Sequence, residues 1–235
     1  MILIKDLKKK FGKNEVLKGI DLEIGEGRII AVLGPNGSGK TTLIKSILGM
    51  VIPDQGSIEM DGKPVKRNWN YRNNIDYLPQ MANFPGNLKV SELIGMITDL
   101  RSKPADTEKL IQKFHLQPFL NKKLGNLSGG TKQKVNLVLT FMFDSPLIIL
   151  DEPTTGLDPI AHLILKELIA EERKKGKTIL ITSHIMSFVE EIAEEIVFLL
   201  EGKIYFQGSI SQLNEETHEK DFEHAIAKIL TSGYA

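Results

Sequence analysis

The segment 34–42 carries the residue types that bind a polyphosphate. It reads Gly-Pro-Asn-Gly-Ser-Gly-Lys-Thr-Thr and lies between an apolar run at 29–33 and a helical pattern at 41–50. Glycines let backbone N–H groups turn toward phosphate oxygens, and a helix N-terminus adds a positive dipole. Lys40 can reach the β- and γ-phosphates, and the Thr41 hydroxyl can bind Mg²⁺. A glycine-rich turn with a chance lysine is disfavoured, because strand, spacing and hydroxyl all occur together. The predicted nucleotide-binding residues are Gly34, Pro35, Asn36, Gly37, Ser38, Gly39, Lys40, Thr41 and Thr42.

An acidic pair follows a second apolar run, at 147–151. Because the carboxyl ends of parallel strands meet at one edge of a sheet, we expect Asp151 beside the phosphate loop, where it can hold the water shell of a magnesium ion. Glu152 points in a different direction and can orient an attacking water as a general base. Standing alone, such a pair would indicate a solvated strand end. Beside a phosphate loop, the catalytic interpretation is favoured.

Three further features gain weight from their order along the chain. Ser128, Gly129 and Gly130 precede a helical pattern, so they predict a second anion-binding helix start. Gln80 stands between the β-rich and helical parts of the chain, and His184 follows the apolar run at 178–182. Alone, a Ser-Gly-Gly segment is a flexible helix start, and a single glutamine or histidine is usually a surface or core residue.

The elements around these residues predict an α/β fold. Alternation of Ile20, Leu22 and Ile24 with acidic residues indicates an N-terminal antiparallel β subdomain with one wet face. The unbroken apolar runs at 29–33 and 147–151 are typical of parallel strands buried on both faces. A third buried strand is predicted at 178–182, a hairpin turn at Asp61-Gly62, and a closing hairpin formed by 196–200 and 204–206.

The middle of the chain changes to helical patterns, at 90–100, 106–114 and 132–143. These patterns predict a helical subdomain, 81–145, inserted into the α/β core. Asp158 and Pro159 mark the start of a further helix, and Ser187 with Glu190 predicts a capping box for a short one. The segment 209–235 is predicted to be a helical tail.

Composition limits the function classes. The 235 residues include 30 basic and 30 acidic ones, so the formal net charge is zero. This argues against nucleic-acid binding that depends on a large positive electrostatic potential. There is no cysteine, which excludes disulfides, cysteine-bound zinc and thiol catalysis. No apolar run approaches the ~18 residues of a membrane span, and the N-terminal residues lack a signal-peptide layout. These features indicate a soluble intracellular protein.

The chain resembles the nucleotide-binding subunit of an ATP-binding-cassette (ABC) transporter over nearly its whole length, 1–235, as one domain. The phosphate loop, the Gln80 loop, the signature at 127–134, the acidic strand end at 147–152, the Gly-Leu-Asp segment at 156–158 and His184 occur in the order of that family. The resemblance implies a P-loop NTPase core with a parallel sheet. The tyrosine-leucine-proline-glutamine segment and the stretch 189–203 are similar to subunits of copper-processing systems that mature nitrous oxide reductase.

The resemblance also implies roles for single residues. Phe11 matches the aromatic residue that stacks on adenine, although the family more often has tyrosine there; a core aromatic is the alternative. Lys40, Glu152 and His184 match the catalytic residues, and Thr41, Gln80 and Asp151 match the magnesium site. Ser128, Gly129 and Gly130 match the signature that caps the ATP of the opposite subunit. Thr131 departs from the more common glutamine, which puts a long side-chain contact to the nucleotide in doubt.

As a whole, the resemblance implies an ATPase that binds ATP and Mg²⁺, forms an ATP-dependent head-to-tail homodimer, and drives a separate integral-membrane permease. The chain would then be cytoplasmic, held at the inner face of the membrane by its permease, with no nucleic-acid partner expected. One alternative is a soluble ABC ATPase of DNA repair, chromosome maintenance or translation, although no coiled coil, zinc site or second cassette is visible in the sequence. A small-molecule phosphotransferase is another, which leaves Ser128 and His184 unexplained.

Overall fold

A six-stranded sheet forms the centre of the computed structural model, which describes residues 1–101 and 103–233. The strands of the fold are β1 Ile2–Phe11, β2 Asn14–Ile24, β3 Ile29–Leu33, β4 Gln55–Met60, β5 Lys63–Pro64, β6 Ile75–Leu78, β7 Leu147–Asp151, β8 Thr178–Thr182, β9 Glu195–Leu200 and β10 Lys203–Gly208. The α-helices are α1 Lys40–Ile47, α2 Val90–Arg101, α3 Thr107–Lys113, α4 Gly129–Phe141, α5 Pro159–Lys174, α6 Met186–Ile192, α7 Ile210–Thr217 and α8 Phe222–Gly233.

The central sheet has the order β10-β9-β3-β8-β7-β6. Its strands from β9 to β6 pair in parallel, and β10 adds an antiparallel edge. Every residue of β3, β7 and β8 is buried, as their unbroken apolar sequences predict. Since the parallel strands end at one edge, this edge collects the phosphate loop after β3, Asp151 at the end of β7 and His184 just beyond β8.

A second sheet, β2-β1-β4-β5, is antiparallel and confirms the predicted N-terminal β subdomain. Its apolar face shares a core with α1 and with β3. Leu43, Ile44 and Ile47 of α1 are fully buried in this core, and burial of each such side chain contributes about 1.5–3 kcal/mol. The helix that carries Lys40 is therefore clamped between two sheets, which fixes the phosphate loop at its start.

The predicted helices of the middle segment are present as α2, α3 and α4. They share a core with β6, β7 and α5 in which Leu93, Phe114 and Leu137 are buried. Arg101 at the end of α2 joins this helical layer to the central sheet, since its guanidinium donates to Asp76 of β6 at 2.7 Å. The bounds 81–145 for an inserted subdomain stay a prediction, and residue 102 lies outside the described residues.

Some helix boundaries differ from the sequence prediction. Helix α1 ends at Ile47 rather than at residue 50, because Gly49 adopts a left-handed φ of 64°. Helix α4 begins at Gly129 rather than at residue 132, because the Ser128 side chain caps it by accepting from the Thr131 amide.

The capping box predicted at Ser187 and Glu190 is wrong. Helix α6 begins at Met186, so Ser187 already lies inside it, and the preceding turn is closed by the Ser183 hydroxyl, which accepts from the Ile185 amide at 3.1 Å. The tail contains two helices, and a capping box occurs there instead, between Ser209 and Gln212. Tyr234 and Ala235, the end of the predicted tail, lie outside the described residues.

The hairpin turn predicted at Asp61-Gly62 is confirmed, since it joins β4 to the antiparallel β5. Strand β6 was not predicted. Among the described residues, no helix has the length and apolar character needed to cross a bilayer.

Candidate functional site

The phosphate loop is shaped by two glycines that no other residue could replace. A Cβ at Gly34, where φ is 148°, would lie 2.0 Å from the Leu199 carbonyl oxygen. A Cβ at Gly39, where φ is 109°, would lie 2.9 Å from Leu17 Cδ2 and 3.0 Å from the Val16 carbonyl oxygen. The loop is thus pressed against β9 and β2, with its backbone in a left-handed conformation that glycine adopts at little cost.

Lys40 is held over this loop as the first residue of α1. Its Nζ donates to the carbonyl oxygens of Gly34 at 2.6 Å and Pro35 at 3.0 Å. Burial lowers the pKa of Lys40, while the nearby carboxylates of Glu152 and Asp151 act in the opposite direction. The ammonium therefore stands between the loop and the acidic pair, where it can meet the terminal phosphates of a nucleotide.

The donors around the loop fit a triphosphate and its magnesium ion. The Ser38 hydroxyl is buried and has no hydrogen-bond partner among the described residues, so a phosphate oxygen would satisfy it. Thr41 offers a hydroxyl from the first turn of α1 and Asp151 a carboxylate from β7. No group of three or more histidine, aspartate or glutamate side chains able to hold a metal occurs within residues 1–101 and 103–233. Mg²⁺ in nucleotide sites needs no such group, because phosphates and waters complete its oxygen shell.

The acidic pair is buried and rigidly held. The Thr182 hydroxyl donates to Asp151 Oδ1 at 2.5 Å. The Glu152 amide donates to the Thr182 carbonyl oxygen at 3.1 Å and to its Oγ1 at 3.0 Å. Glu152 has a φ of 52°, a left-handed backbone conformation that is uncommon for a residue other than glycine. That the two acids take different roles stays a prediction.

His184 completes this cluster. Its Nδ1 lies 2.7 Å from Glu152 Oε2, and its ring is mostly exposed. The structure therefore brings together Lys40, Asp151, Glu152 and His184, which are far apart in sequence. Tyr77 borders the same group, since burial and the Asp151 carboxylate raise the pKa of its phenol to about 12.

Gln80 lies at the same edge of the sheet, on an exposed bend two residues beyond β6. Strand β6 is the neighbour of β7, with Leu78 in register with Leu150. The backbone therefore places Gln80 beyond the strand end next to Asp151.

Phe11 ends β1 with 51% of its surface exposed, and the Lys9 ammonium lies 5.3 Å from its ring centroid. It pairs with Asn14 at the start of β2, two residues before Val16, which touches the phosphate loop. The alternative of a core aromatic does not fit this exposure. An exposed ring face next to the loop can stack on a base.

Ser128 caps the start of α4, a different element from the one that carries the phosphate loop. Its hydroxyl is 2.9 Å from that of Thr131 and accepts from the Thr131 amide at 3.3 Å. The Thr131 hydroxyl thus contacts Ser128 of its own helix start. This fits the expectation that a threonine here makes no long side-chain contact to the nucleotide. Gly129 has open space around its Cα. Ser128 and Gly129 are both exposed.

Two residues of α4 that sequence reasoning did not single out tie it to the segment after Glu152. Gln133 Nε2 donates to the Pro153 carbonyl oxygen at 3.1 Å, and Lys134 Nζ lies 2.6 Å from Asp158 Oδ2. A Cβ at Gly130 would lie 2.7 Å from the Gly156 carbonyl oxygen, so close packing requires glycine there. Gln133 and Lys134 are the last residues of the signature segment 127–134, but these contacts were not predicted for them.

Comparison with known proteins agrees with this geometry. A family described as ABC transporter matches residues 17–155. The chain is 34% identical over 226 residues to an uncharacterized ABC transporter ATP-binding protein, YhaQ, of Bacillus subtilis (strain 168), covering 94% of this chain and 75% of that one. It is 35% identical over 218 residues to the lantibiotic transport ATP-binding protein SrtF of Streptococcus pyogenes, covering 88% of this chain and 90% of that one. A solved structure of an ATP-binding subunit of an ABC transporter superimposes with a TM-score of 0.91 at 27% identity, covering 98% of this chain and 99% of the other.

Proposed function

This chain belongs to the ABC transporter family as an ATP-binding and ATP-hydrolysing subunit, and we propose that two copies arranged head to tail enclose two ATP molecules and drive a separate membrane permease. The observation that carries the proposal is that one chain has two anion sites on separate elements. The phosphate loop lies with the acidic pair, whereas Ser128 lies at the start of α4. A head-to-tail pair would bring each Ser128 to the phosphate loop of its partner.

In this arrangement the loop from Gly34 to Thr42 holds the triphosphate, with Lys40 at its β- and γ-phosphates. Phe11 stacks on the adenine through its exposed face. Ser128, Gly129 and Gly130 approach the γ-phosphate from the second copy, as a helix N-terminus suits an anion.

The magnesium site consists of the Thr41 hydroxyl, the Asp151 carboxylate and the Gln80 amide oxygen. When bound, Mg²⁺ would neutralise the negative charge that develops on the phosphate oxygens during ATP hydrolysis. Glu152 orients the attacking water and accepts its proton. His184 is hydrogen-bonded to Glu152 through Nδ1, which leaves its Nε2 free to contact the γ-phosphate.

The permease is proposed to dock where the helical layer meets the central sheet. A cavity of about 500 Å³ opens there, with a largely apolar lining that includes Met81, Phe84, Ile97 and Leu139. Gln80 directly precedes Met81, so a permease segment in this cavity would sense the nucleotide edge of the sheet. The helical segment 81–145 would pass that motion on as a unit. The chain would be cytoplasmic and held at the inner face of the membrane by this contact.

Co-purification with a co-expressed permease tests this docking. Met81 is 79% exposed, so Met81→Glu places a charge in the cavity without disturbing the core. We expect it to abolish co-purification while leaving ATP binding intact. Leu100→Glu, at a 73% exposed position on α2, is the matched control and should co-purify normally.

Expressed without the permease, the chain should stay in the soluble fraction. Recovery in washed membranes without a partner, or normal co-purification of Met81→Glu, would contradict the proposed docking. The alternative of a soluble ABC ATPase in DNA repair or translation is not favoured by relatives that are named as transport subunits. The similarity to copper-processing subunits stays a prediction.

A further inference from the structure

We propose that Thr182 is a positioning residue that fixes both acids of the catalytic pair through one hydroxyl group. The proposal rests on the roles given above to Asp151 and Glu152. Thr182 is the last residue of β8, is fully buried, and is in register with Asp151 on the neighbouring strand. It ends the strand predicted at 178–182, and the sequence predicted no role for it in the site.

The direction of each hydrogen bond at Thr182 is determined by the groups present. A hydroxyl has one proton and two lone pairs. The Glu152 amide can only donate, so Oγ1 accepts from it at 3.0 Å, and the single proton goes to Asp151 Oδ1 at 2.5 Å. Hydrogen bonds to an ionised acceptor are short and strong. The hydroxyl therefore orients the Asp151 carboxylate, while that carboxylate keeps further lone pairs for a magnesium-bound water.

The same hydroxyl supports an unfavourable backbone. Glu152 has a φ of 52°, which costs a non-glycine residue on the order of 1 kcal/mol or more. The Glu152 amide donates to both oxygens of Thr182. With the backbone held in this conformation, Glu152 Oε2 lies 2.7 Å from His184 Nδ1. The metal acid and the general base are thus set relative to each other by one side chain.

Substitutions that separate the hydroxyl from the packing of β8 test the proposal. Thr182→Val keeps the branched shape and removes the hydroxyl, and Thr182→Ser keeps the hydroxyl and removes the methyl group. Thr178→Val is the matched control on the same strand, because the Thr178 hydroxyl accepts from the Gly27 amide at 2.9 Å and not from the acidic pair. Steady-state hydrolysis, ATP binding with and without Mg²⁺, and thermal unfolding are measured for each.

We expect Thr182→Val to bind ATP normally without Mg²⁺ and to lose most of the additional affinity that Mg²⁺ provides. At saturating ATP it should hydrolyse ATP about 10–100-fold more slowly, because removing a group that orients a metal-binding residue usually has an effect of this size. Thr182→Ser should restore both properties, and Thr178→Val should keep them. If the valine variant does not fold, Thr182→Ala carries the same test, since it also lacks the hydroxyl.

Two results would overturn the proposal. One is normal turnover and magnesium dependence in Thr182→Val. The other is an equal loss in the valine and serine variants, which would assign the effect to packing. Asp151→Asn separates this failure from failure of the underlying site. If Asp151→Asn keeps the wild-type magnesium dependence, the role of Asp151 is wrong; if it loses that dependence while Thr182→Val does not, only the role of Thr182 is wrong.

Discussion

The two proposed anion sites of this chain differ in how far they are formed before a ligand binds. At the phosphate loop, Lys40 and Ser38 are buried, and Gly34 and Gly39 are packed against β9 and β2. At the other site, Ser128 is exposed, and its hydroxyl is engaged with Thr131 of its own helix. The first is a pocket within one chain, and the second is a surface, which needs a ligand presented from outside.

The start of α4 is exposed, but it is held in place by contacts within the chain. Gln133 and Lys134 hold α4 to the segment that directly follows Glu152. The exposed site of one chain is thereby fixed to the catalytic residues of the same chain. This difference is what the proposed head-to-tail pair requires, because each chain would then supply half of each ATP site.

The largest expected effect lies at the buried site. Lys40→Ala removes the cation at the terminal phosphates, so binding of ATP should fall by more than about 100-fold, below detection in a fluorescence titration. Lys45→Ala, at an exposed position of the same helix, should bind ATP normally. Unchanged affinity in Lys40→Ala would mean that the buried site is not the nucleotide site.

The second expected effect joins the two sites. Glu152→Gln keeps the shape of the side chain and loses the proton acceptor, so hydrolysis should slow by at least about 100-fold. ATP should then stay bound, and light scattering after size exclusion should show a dimer. Glu201→Gln, in the exposed turn between β9 and β10, should hydrolyse normally and serve as the control.

Adding Ser128→Arg to Glu152→Gln should abolish that dimer while each chain still binds ATP, because a bulky cation crowds a helix N-terminus that must approach phosphate. A Glu152→Gln protein that stays monomeric at saturating ATP, alone and with its permease, would remove the basis for pairing the two sites.

A smaller effect is expected at His184. His184→Ala should reduce the turnover number by less than Glu152→Gln does and should leave ATP affinity unchanged, since the imidazole is exposed and reaches the site through Glu152. Turnover and ATP affinity, measured on the same preparation, distinguish these effects. A loss of affinity with normal turnover would assign His184 to binding instead.

The smallest effect concerns the ion pair between Lys134 and Asp158. The Lys134 ammonium and the Ala161 amide hold the pKa of Asp158 below its usual value. A carboxylate whose pKa is lowered by folding adds stability above its unfolded pKa and loses it as the pH falls through the folded pKa. Because this pair is exposed, Asp158→Asn should reduce the free energy of unfolding by at most about 1 kcal/mol at pH 7.

This difference between Asp158→Asn and the wild type should begin to shrink below about pH 4, the usual range of an aspartate pKa, and should be lost as the pH falls through the lower pKa of Asp158 in the folded chain. Thermal unfolding measured from about pH 7 down to about pH 2 checks it. A difference that does not shrink over this range would show that the charge is not its cause.

The two sites were not equally predictable from sequence. Lys40, Thr41 and the glycines of the phosphate loop are contiguous, so their spacing alone predicted a pocket, and Asp151 followed from the rule that parallel strands end at one edge. Thr182 was not predicted as a partner of Asp151, because its role depends on the register between two strands that lie 31 residues apart in the chain. The contact of Gln133 was also missed, because it depends on how α4 packs against the segment that follows β7.

Some predictions from local sequence patterns were wrong or incomplete because tertiary contacts decide where an element begins. Ser187 and Glu190 have the spacing of a capping box, but the turn closed by Ser183 starts α6 two residues too early for it. Strand β6 is only four residues long, Ile75–Leu78, and was not visible as a pattern, yet it places Gln80 beside the catalytic edge.

A disulfide test between two chains addresses the central claim most directly. The sequence has no cysteine, so Asn36→Cys in the phosphate loop and Ser128→Cys in the signature provide the only thiols when the two variants, each carrying Glu152→Gln, are mixed. A disulfide forms only when the Cα atoms approach within about 7 Å. The head-to-tail arrangement predicts a dimer-sized product from the mixture under oxidation with MgATP, and none without nucleotide or from either variant alone. Equal crosslinking of each variant with itself, or no crosslinking of the mixture at saturating ATP, would contradict it.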